Sequence, residues 1–172
     1  MINFLNISYL QSGNEKQKKA YQVLTDNKIL EKLAPYQPIL VGTIPINIDI
    51  ENSDLDIICD VQDKVTFTEI LTNYFQSEKG FKITKNSTFK SIKANFFIDD
   101  FEFEIFGQAI PTIKQNAYRH MLIEYQLLLE KGEIFRQEII ALKKQGYKTE
   151  PAFAKLLEIE GNAYEELLKV AI

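Results

Sequence analysis

The sequence has few of the residues and segments that mark secreted or membrane-spanning proteins. It contains one cysteine, Cys59, which cannot form a disulfide within the chain, so we expect a reducing, intracellular setting. No stretch approaches the roughly 18 consecutive apolar residues that a membrane span requires. The N-terminal segment lacks the basic start and the apolar run of a signal peptide. These absences predict a cytoplasmic protein that does not act at a membrane.

Positive charge is also scarce. The 20 lysines and arginines are outnumbered by 24 acidic residues, which gives a net charge of −4, and only Arg119 and Arg136 are arginines. A chain with this balance is not expected to bind extended nucleic acid through bulk positive charge. A local basic groove, or a small anionic substrate that arrives with a metal ion, remains compatible with it.

The sequence does contain enough apolar material for a folded domain. Hydrophobic residues make up 45% of the chain and charged residues 26%, so a buried core can offset the entropy lost on folding. Hydrophobic spacing and glycine and proline breaks predict an α+β fold. Strands are predicted at residues 39–41, 55–59, 81–84, 91–98 and 101–107, and helices at 16–25, 28–33, 65–75, 112–131, 133–145, 150–157 and 162–170. We expect residues 1–110 to form an α+β core and residues 111–172 to form a C-terminal helical region packed on that core.

Two aspartates, Asp54 and Asp56, stand two residues apart where the second strand begins. Side chains alternate along a strand, so both acids are expected on one face, with Leu55 and Ile57 on the other. Neighbouring carboxylates repel each other and lose hydration unless a cation or a donor offsets them. Because Mg²⁺ is often bound by one or two carboxylates plus substrate phosphates, the pair predicts a metal site. The alternative is a strand end at the rim of the sheet with both acids in water.

The end of the first strand suits phosphate binding. Gly42 follows the buried run at 39–41 and lets the backbone approach a ligand closely. Thr43 adds a hydroxyl beside backbone N–H groups that can bind phosphate oxygens. A plain strand-to-turn glycine is the alternative.

A site for two metal ions needs a third acid. It is expected on the strand at 101–107, where Glu102 and Glu104 face one way and the apolar residues the other. Glu104 is the preferred ligand because it lies deeper in the strand, further from the hairpin turn at Asp99 and Asp100. Glu102 remains the alternative.

Together these residues resemble the pattern of the nucleotidyltransferase superfamily, which includes the polymerase-beta-like and minimal nucleotidyltransferases. In that pattern a hydrophobic residue and Gly-Ser or Gly-Gly precede a spacer, and the spacer precedes Asp-x-Asp or Asp-x-Glu between hydrophobic residues. Here Val41-Gly42-Thr43 precedes Asp54-Leu55-Asp56-Ile57, with Thr43 in place of the usual Ser or Gly. Residues 42–46, 53–59, 115–120 and 148–154 further resemble an uncharacterised bacterial family of nucleotidyltransferase-like proteins, kin to the GrpB-like group.

The resemblance implies a nucleotidyltransferase-type mixed sheet and roles for particular residues. Asp54, Asp56 and Glu104 would hold Mg²⁺ or Mn²⁺ and take part in catalysis. Gly42, Thr43 and Ser53 would bind the phosphates of a nucleoside triphosphate.

Three residues of the helical region are candidates for binding the substrate. His120, the only histidine, could contact a phosphate or transfer a proton, or could be a structural hydrogen-bonding histidine between helix and sheet. Arg119 is a candidate triphosphate clamp or a surface ion-pair partner. Lys148 could reach a phosphate, although Thr149 as an N-cap makes this segment first of all a helix start.

Other charged residues are assigned less chemistry. Lys143 and Lys144 are predicted to lie on a solvated helix face. Asp49 either joins the acidic cluster or is an ordinary loop residue.

Two functions are compatible with this pattern. The first is a metal-dependent nucleotidyltransferase that moves a nucleotidyl group from a nucleoside triphosphate to a small molecule, a protein or an RNA end. The second is a catalytically inactive protein of the same fold that binds a nucleotide or a protein partner, because one fold hosts many functions. Pyrophosphate release that requires a metal and Asp56 would distinguish the first from the second.

Overall fold

A mixed five-stranded sheet forms the centre of the computed structural model, which describes residues 2–86, 88 and 90–170. The strands are β1 (Ile39–Val41), β2 (Leu55–Asp60), β3 (Lys79–Asn86), β4 (Ser91–Ile98) and β5 (Phe101–Gln108). The α-helices are α1 (Glu15–Asp26), α2 (Ile29–Lys32), α3 (Lys64–Phe75), α4 (Asn116–Lys144), α5 (Thr149–Leu156) and α6 (Ala163–Glu166). Short 3₁₀ turns cover Ser8–Ser12, Ala34–Tyr36, Thr112–Lys114 and Leu167–Lys169.

The strand order is β1-β2-β5-β4-β3, in which β2 and β5 are parallel and the other neighbours are antiparallel. The predicted α+β class, with a mixed sheet and flanking helices, is confirmed. Asp56 on β2 pairs with Glu104 on β5 and, on its other side, with Val41 on β1. The register therefore brings the two strands with candidate acids, and the glycine turn after β1, to one place.

Each face of the sheet is covered by its own hydrophobic core. Leu55, Ile57 and Phe103 alternate into the core that includes α1 and α3. On the opposite face, Val41 and Ile58 join the core formed with α4 and α5. Burying side chains of this kind stabilises a fold by about 1.5–3 kcal/mol each, so both helical layers are tied firmly to the sheet.

The long helix α4 is interrupted at Gly132, whose backbone angles (φ 79°, ψ −167°) are not helical. The sequence predicts the same break, between helices at 112–131 and 133–145. The structure differs at the start, because residues 112–114 form a 3₁₀ turn and α4 begins at Asn116. No helix in the described part of the chain is long and apolar enough to cross a membrane. The division into two regions at residue 110 stays a prediction.

Candidate functional site

Three acids from two neighbouring strands converge beside the turn that follows β1. Asp54, Asp56 and Glu104 each offer a carboxylate oxygen, and these oxygens lie within 4.8 Å of one another. Asp54 directly precedes β2, Asp56 lies in it, and Glu104 is the partner of Asp56 on β5. One cation could therefore contact all three, and we call this group the acid triad.

The alternative third acid, Glu102, is not a member of this group within the described residues. Its Oε1 lies 3.4 Å from the side-chain nitrogen of Asn95 on β4. Glu104 is oriented by two donors on β4. Lys93 Nζ lies 3.0 Å and Asn95 Nδ2 lies 3.5 Å from its Oε2. The Lys93–Glu104 ion pair is partly exposed and adds little stability, so its main effect is to position the carboxylate.

The acid triad carries more negative charge than its surroundings neutralise. The pKa of Asp56 is raised to about 8, chiefly by burial and then by the charges of Asp54 and Glu104. Lys143 and Lys93 act in the opposite direction without cancelling this effect. A bound divalent cation would offset it, and a set of carboxylate oxygens is the donor type that Mg²⁺ and Mn²⁺ take.

Gly42 is fitted to the triad by its lack of a side chain. Its φ of +86° lies in the left-handed region, and a Cβ built there would collide with the carboxylate of Asp56. A plain turn glycine would account for the backbone angle but not for this contact. The glycine therefore makes room for the acid as well as for the turn.

The loop between β1 and β2 presents two hydroxyls beside the triad. Thr43 Oγ1 donates to Ser53 Oγ at 3.2 Å, and the backbone N–H of Ile50 donates to the same oxygen at 2.9 Å. Ser53 thus closes the loop across its two ends and keeps both hydroxyls at the edge of the site.

Long side chains from α1 and α4 hold this loop on both sides through its backbone carbonyls. The donors are Gln17 Nε2 to Ile44 and Pro45 (2.8 and 3.2 Å), Lys16 Nζ to Ile50 and Glu51 (2.6 and 3.0 Å), Arg136 Nη1 to Ile46 and Asn47 (2.7 and 3.1 Å), and Lys143 Nζ to Ile48 (2.8 Å). Because the carbonyls are already satisfied, the loop is held in one arrangement before any ligand arrives.

A cleft of about 720 Å³ contains the acid triad and most of the predicted substrate residues. Those that line it are Gly42, Thr43, Ser53, His120 and Lys148. Arg119 is not among the lining residues; it is exposed, and its Nη1 donates to Asn116 Oδ1 at 3.2 Å. Asp49 stands outside the triad, with its Oδ1 3.5 Å from Asn14 Nδ2.

The side of the cleft formed by α4, α5 and their connection carries several polar groups, and we call it the helical wall. Its members are His120, Glu124, Lys143, Tyr147 and Glu150. His120 is buried, with Nε2 2.8 Å from the carbonyl oxygen of Tyr164 and Nδ1 3.5 Å from Glu150 Oε1. It therefore has the fixed hydrogen bonds of a structural histidine while also lining the cleft.

Lys143 corrects one prediction, because it does not lie on a solvated face. Its side chain is buried against the loop, whereas the neighbouring Lys144 is exposed. Burial lowers the pKa of Lys143 to about 8, and the negative charges of Glu124 and Asp49 oppose that shift. The sequence pattern misses this because the partner, a loop carbonyl, lies about 95 residues earlier in the chain.

Glu124 is a second charged group that the sequence does not reveal. It is 3% exposed, and its pKa is raised to about 8 by burial and then by the charge of Glu150. Its Oε1 accepts no hydrogen bond from the described residues. The only sequence signal is its position one turn after His120 on the same helix.

The start of α5 differs from the prediction. The helix begins at Thr149, with Lys148 at the N-cap position and no side chain capping the end. The N-cap role predicted for Thr149 is therefore wrong, because this residue is already helical. Lys148 is exposed at the rim of the cleft, where its ammonium group is free to approach a ligand.

The fold and the site place this chain among proteins with a nucleotidyltransferase-type fold. Solved structures with a similar fold are a cytoplasmic RNA terminal U-transferase (16% identity, TM-score 0.55, covering 90% of this chain and 46% of that one), the Cid1 poly(U) polymerase (15%, 0.56, 90% and 49%) and the GLD-2/RNP-8 complex (14%, 0.52, 83% and 56%). At such low identity the likeness shows the fold alone. The chain spans about half the length of these structures.

Residues 22–170 match the model of a family described as a domain of unknown function, DUF4269, and the chain belongs to this family. No curated protein matches the chain.

Proposed function

We propose that this protein is a metal-dependent nucleotidyltransferase, which transfers a nucleotidyl group from a nucleoside triphosphate to an acceptor hydroxyl or amine. The convergence of the acid triad beside the Gly42 turn carries the proposal. Asp54, Asp56 and Glu104 would hold Mg²⁺ or Mn²⁺, which when bound supplies positive charge to the nucleotide phosphates. The likeness to RNA-acting transferases supports the same chemistry on the same fold.

The loop after β1, together with Lys143 and Lys148, would bind the triphosphate. Ser53 Oγ accepts from Thr43 and Ile50 and keeps its own proton to donate to a phosphate oxygen, whereas Thr43 would have to turn its hydroxyl from Ser53 to do the same. Gly42 lets the backbone approach the phosphates closely. Lys143 lines the same cleft and is coupled electrostatically to Asp54, so its ammonium group can face a phosphate from the helical side. Lys148 adds a second cation at the rim.

Glu104 is the group best placed to receive the proton of the acceptor. It lies at the border between the cleft and the open part of the sheet, where Lys93 and Asn95 fix its carboxylate. The acceptor oxygen attacks the α-phosphorus in line, and a new P–O bond forms. The bond from that phosphorus to the bridging oxygen of the β-phosphate breaks, pyrophosphate leaves, and the acceptor proton passes to the carboxylate of Glu104.

The open part of the sheet beside the triad offers a path for the acceptor. Glu104, Asn95 and Lys82 are direct neighbours across β5, β4 and β3, so they share one face. Lys82 and the ring of Phe97 are exposed on this part of the sheet. A cation and an aromatic ring suit a nucleic-acid end, and the neighbours named for RNA support an RNA 3′ hydroxyl among the acceptors. The expectation from net charge, that extended nucleic acid is an improbable partner, gains no support from the comparisons.

The test is turnover that depends on both the metal and the triad. The purified protein is incubated with Mg²⁺ or Mn²⁺ and each nucleoside triphosphate, with and without an RNA oligonucleotide, and pyrophosphate is measured. Asp56→Asn and Asp54→Asn keep the shape of the side chains while removing charge, and both are expected to lose activity by at least about 100-fold. Lys144→Met, at an exposed position on α4, serves as the control.

Two other outcomes decide between the candidate functions. Metal-dependent nucleotide binding without pyrophosphate release would favour the inactive binding protein of the same fold. No effect of metal on nucleotide binding would refute the metal site that both functions assume. Kinship with the GrpB-like group and a cytoplasmic location remain proposals from the sequence.

A further inference from the structure

The helical wall contains a buried carboxyl group, Glu124, and the described residues offer no donor to one of its oxygens. Glu124 is 3% exposed and lines the cleft, and its Oε1 accepts no hydrogen bond from the described residues. A buried acceptor without a partner destabilises the protein. Such a group inside a cleft points to a ligand that supplies the missing donor.

The neighbouring polar groups are already engaged by the protein. Lys143 donates to the carbonyl oxygen of Ile48 at 2.8 Å, and His120 is held between Tyr164 and Glu150. Glu124 does feel the charge of Lys143, but no hydrogen bond between Lys143 and the Oε1 of Glu124 is formed. Because Glu124 itself lines the cleft, a ligand bound there can supply the donor that the described residues do not.

A second buried acceptor in the cleft has the same need. Gln115 Nε2 donates to the carbonyl oxygens of Cys59 (3.0 Å) and Ile110 (2.8 Å), which fixes the orientation of the amide. Its Oε1 then lies on the other side of the amide, buried and without a partner in the described part of the chain. Two residues that line the cleft thus have an unpaired acceptor oxygen, so a ligand with N–H or O–H groups would suit it.

The remaining lining of the cleft suits a planar ring. Tyr147, Met121 and Phe106 contribute aromatic and apolar surface to the same cavity, alongside the few polar groups that would orient a ligand. A nucleoside triphosphate bound with its phosphates at the triad has one such ring, its base. Among the bases, adenine, guanine and cytosine carry an exocyclic amino group that can donate to a carboxylate, whereas uracil does not.

We propose that Glu124 accepts a hydrogen bond from the exocyclic amino group of the bound nucleobase, so that the cleft selects nucleotides of adenine, guanine or cytosine over those of uracil. This inference rests on the proposed function, because it assumes that the phosphates lie at the triad. Glu124 is a specificity-determining residue in this arrangement and takes no part in the transfer step.

The test removes the amino group from the ligand and the acceptor from the protein. Dissociation constants in the presence of Mg²⁺ are measured by calorimetry for ATP against purine riboside triphosphate and for GTP against inosine triphosphate. Inorganic tripolyphosphate reports on the phosphate half alone. For the wild type, loss of the amino group is expected to weaken binding by about 10-fold or more in at least one pair.

Glu124→Met removes the acceptor and keeps the length and burial of the side chain. In the nucleotide pair that shows the effect in the wild type, the ratio of the two dissociation constants is expected to fall to about 1–2. Tripolyphosphate binding should stay unchanged. Glu138→Met, at an exposed position on the same helix, is the matched control and should keep the wild-type ratio. Because the wild-type ratio needs no variant, a variant that fails to fold leaves the test intact.

The outcomes separate this inference from the proposed function. If neither tripolyphosphate nor any nucleotide binds with metal, the proposed function fails and the inference fails with it. If both bind but the amino group makes no difference in the wild type, only the inference is overturned. The inference is also overturned if Glu124→Met keeps the wild-type ratios of nucleotide dissociation constants but no longer binds a diamine. In that case Glu124 would bind a cationic acceptor substrate and not the base.

Discussion

The two sides of the cleft balance their buried charge in different ways. At the acid triad, Asp54, Asp56 and Glu104 stand together, and Lys93 and Lys143 offset only part of their charge, so a cation from solution would complete the balance. At the helical wall, the fold supplies its own cation, because Lys143 lies near Glu124 and donates to a loop carbonyl. The acid triad therefore needs a bound cation to balance its charge, whereas the charges of the helical wall also serve to stabilise the fold. Substitutions should separate these two roles.

The largest effect is expected from removing the internal cation. Lys143→Met keeps an apolar stem of similar length but leaves the carbonyl oxygen of Ile48 without its donor and Glu124 without its nearby positive charge. We expect a loss of about 3 kcal/mol in the free energy of unfolding, measured by urea denaturation at pH 7. Loss of the loop anchor should also weaken tripolyphosphate binding.

Lys144→Met is the matched control for this prediction. The two lysines are adjacent on α4, but Lys144 is exposed, so its replacement should change stability by less than about 0.5 kcal/mol. Equal effects of the two substitutions would show that Lys143 does not anchor the loop.

The next largest effect concerns the acid triad and the Gly42 turn beside it. In Gly42→Ala the added methyl group meets the carboxylate of Asp56 and the residue must hold a φ of +86°. Gly146 also has a positive φ (+97°), but no atom of the described residues lies within 4 Å of its added Cβ, so Gly146→Ala carries backbone strain without the collision. We expect Gly42→Ala to lose about 2 kcal/mol more stability than Gly146→Ala in thermal denaturation.

The same pair of variants should also differ in metal binding. Displacement of the Asp56 carboxylate should weaken Mn²⁺ binding to Gly42→Ala by about 10-fold, measured by calorimetry. Wild-type affinity in this variant would contradict the assignment of Asp56 as a ligand.

The two aspartates of the acid triad could be predicted from the sequence because their spacing is local and follows the alternation of a strand. Alternation places Asp54 and Asp56 on one face. The position of Glu104 depends on β5 lying beside β2, a pairing that the sequence pattern leaves open and the structure provides. Gly42 is recognisable because a glycine directly after a buried strand marks a place where the backbone turns sharply or meets another group closely. Hydrophobic spacing and glycine breaks likewise predicted the strands of the sheet and the interruption of α4 at Gly132.

The helical wall could not be predicted because its contacts join distant parts of the chain. Lys143 looks like one of two surface lysines until α4 places it against the loop before β2. Glu124 Oε1 and Gln115 Oε1 are buried without a hydrogen-bond partner among the described residues, and this burial depends on how the chain packs around the cleft. A helical period tells which residues share a face, but not which carbonyl or carboxylate that face meets.

A smaller effect is expected from the pH dependence of stability. The pKa of Glu124 is raised in the folded protein from 4.5 to about 8, so the folded state holds a proton that the unfolded state has released in this range. Its contribution is present in full below pH 4.5 and is lost as the pH rises through about 8. Glu124→Gln removes this loss, so the variant should gain stability relative to the wild type by about 1 kcal/mol for each pH unit between pH 5 and pH 7.

Urea denaturation of both proteins at pH 5, 6, 7 and 8, without metal, measures the difference. Asp56 has a raised pKa in both proteins and therefore cancels in the comparison. If the difference in the free energy of unfolding between the two proteins stayed constant over this range, Glu124 would not have a raised pKa in the folded state.

The smallest effect is expected at Arg119, which the sequence offers as a triphosphate clamp. Its guanidinium group is exposed, contacts Asn116 and does not line either side of the cleft. Arg119→Ala should therefore change stability by less than about 0.5 kcal/mol and weaken tripolyphosphate binding by less than about 3-fold. Lys148→Ala, at a position that does line the cleft, should weaken binding more. If Arg119→Ala had the greater effect, Arg119 would have to move toward the phosphates when ligand binds, and the cleft would be wider in the free protein than in the complex.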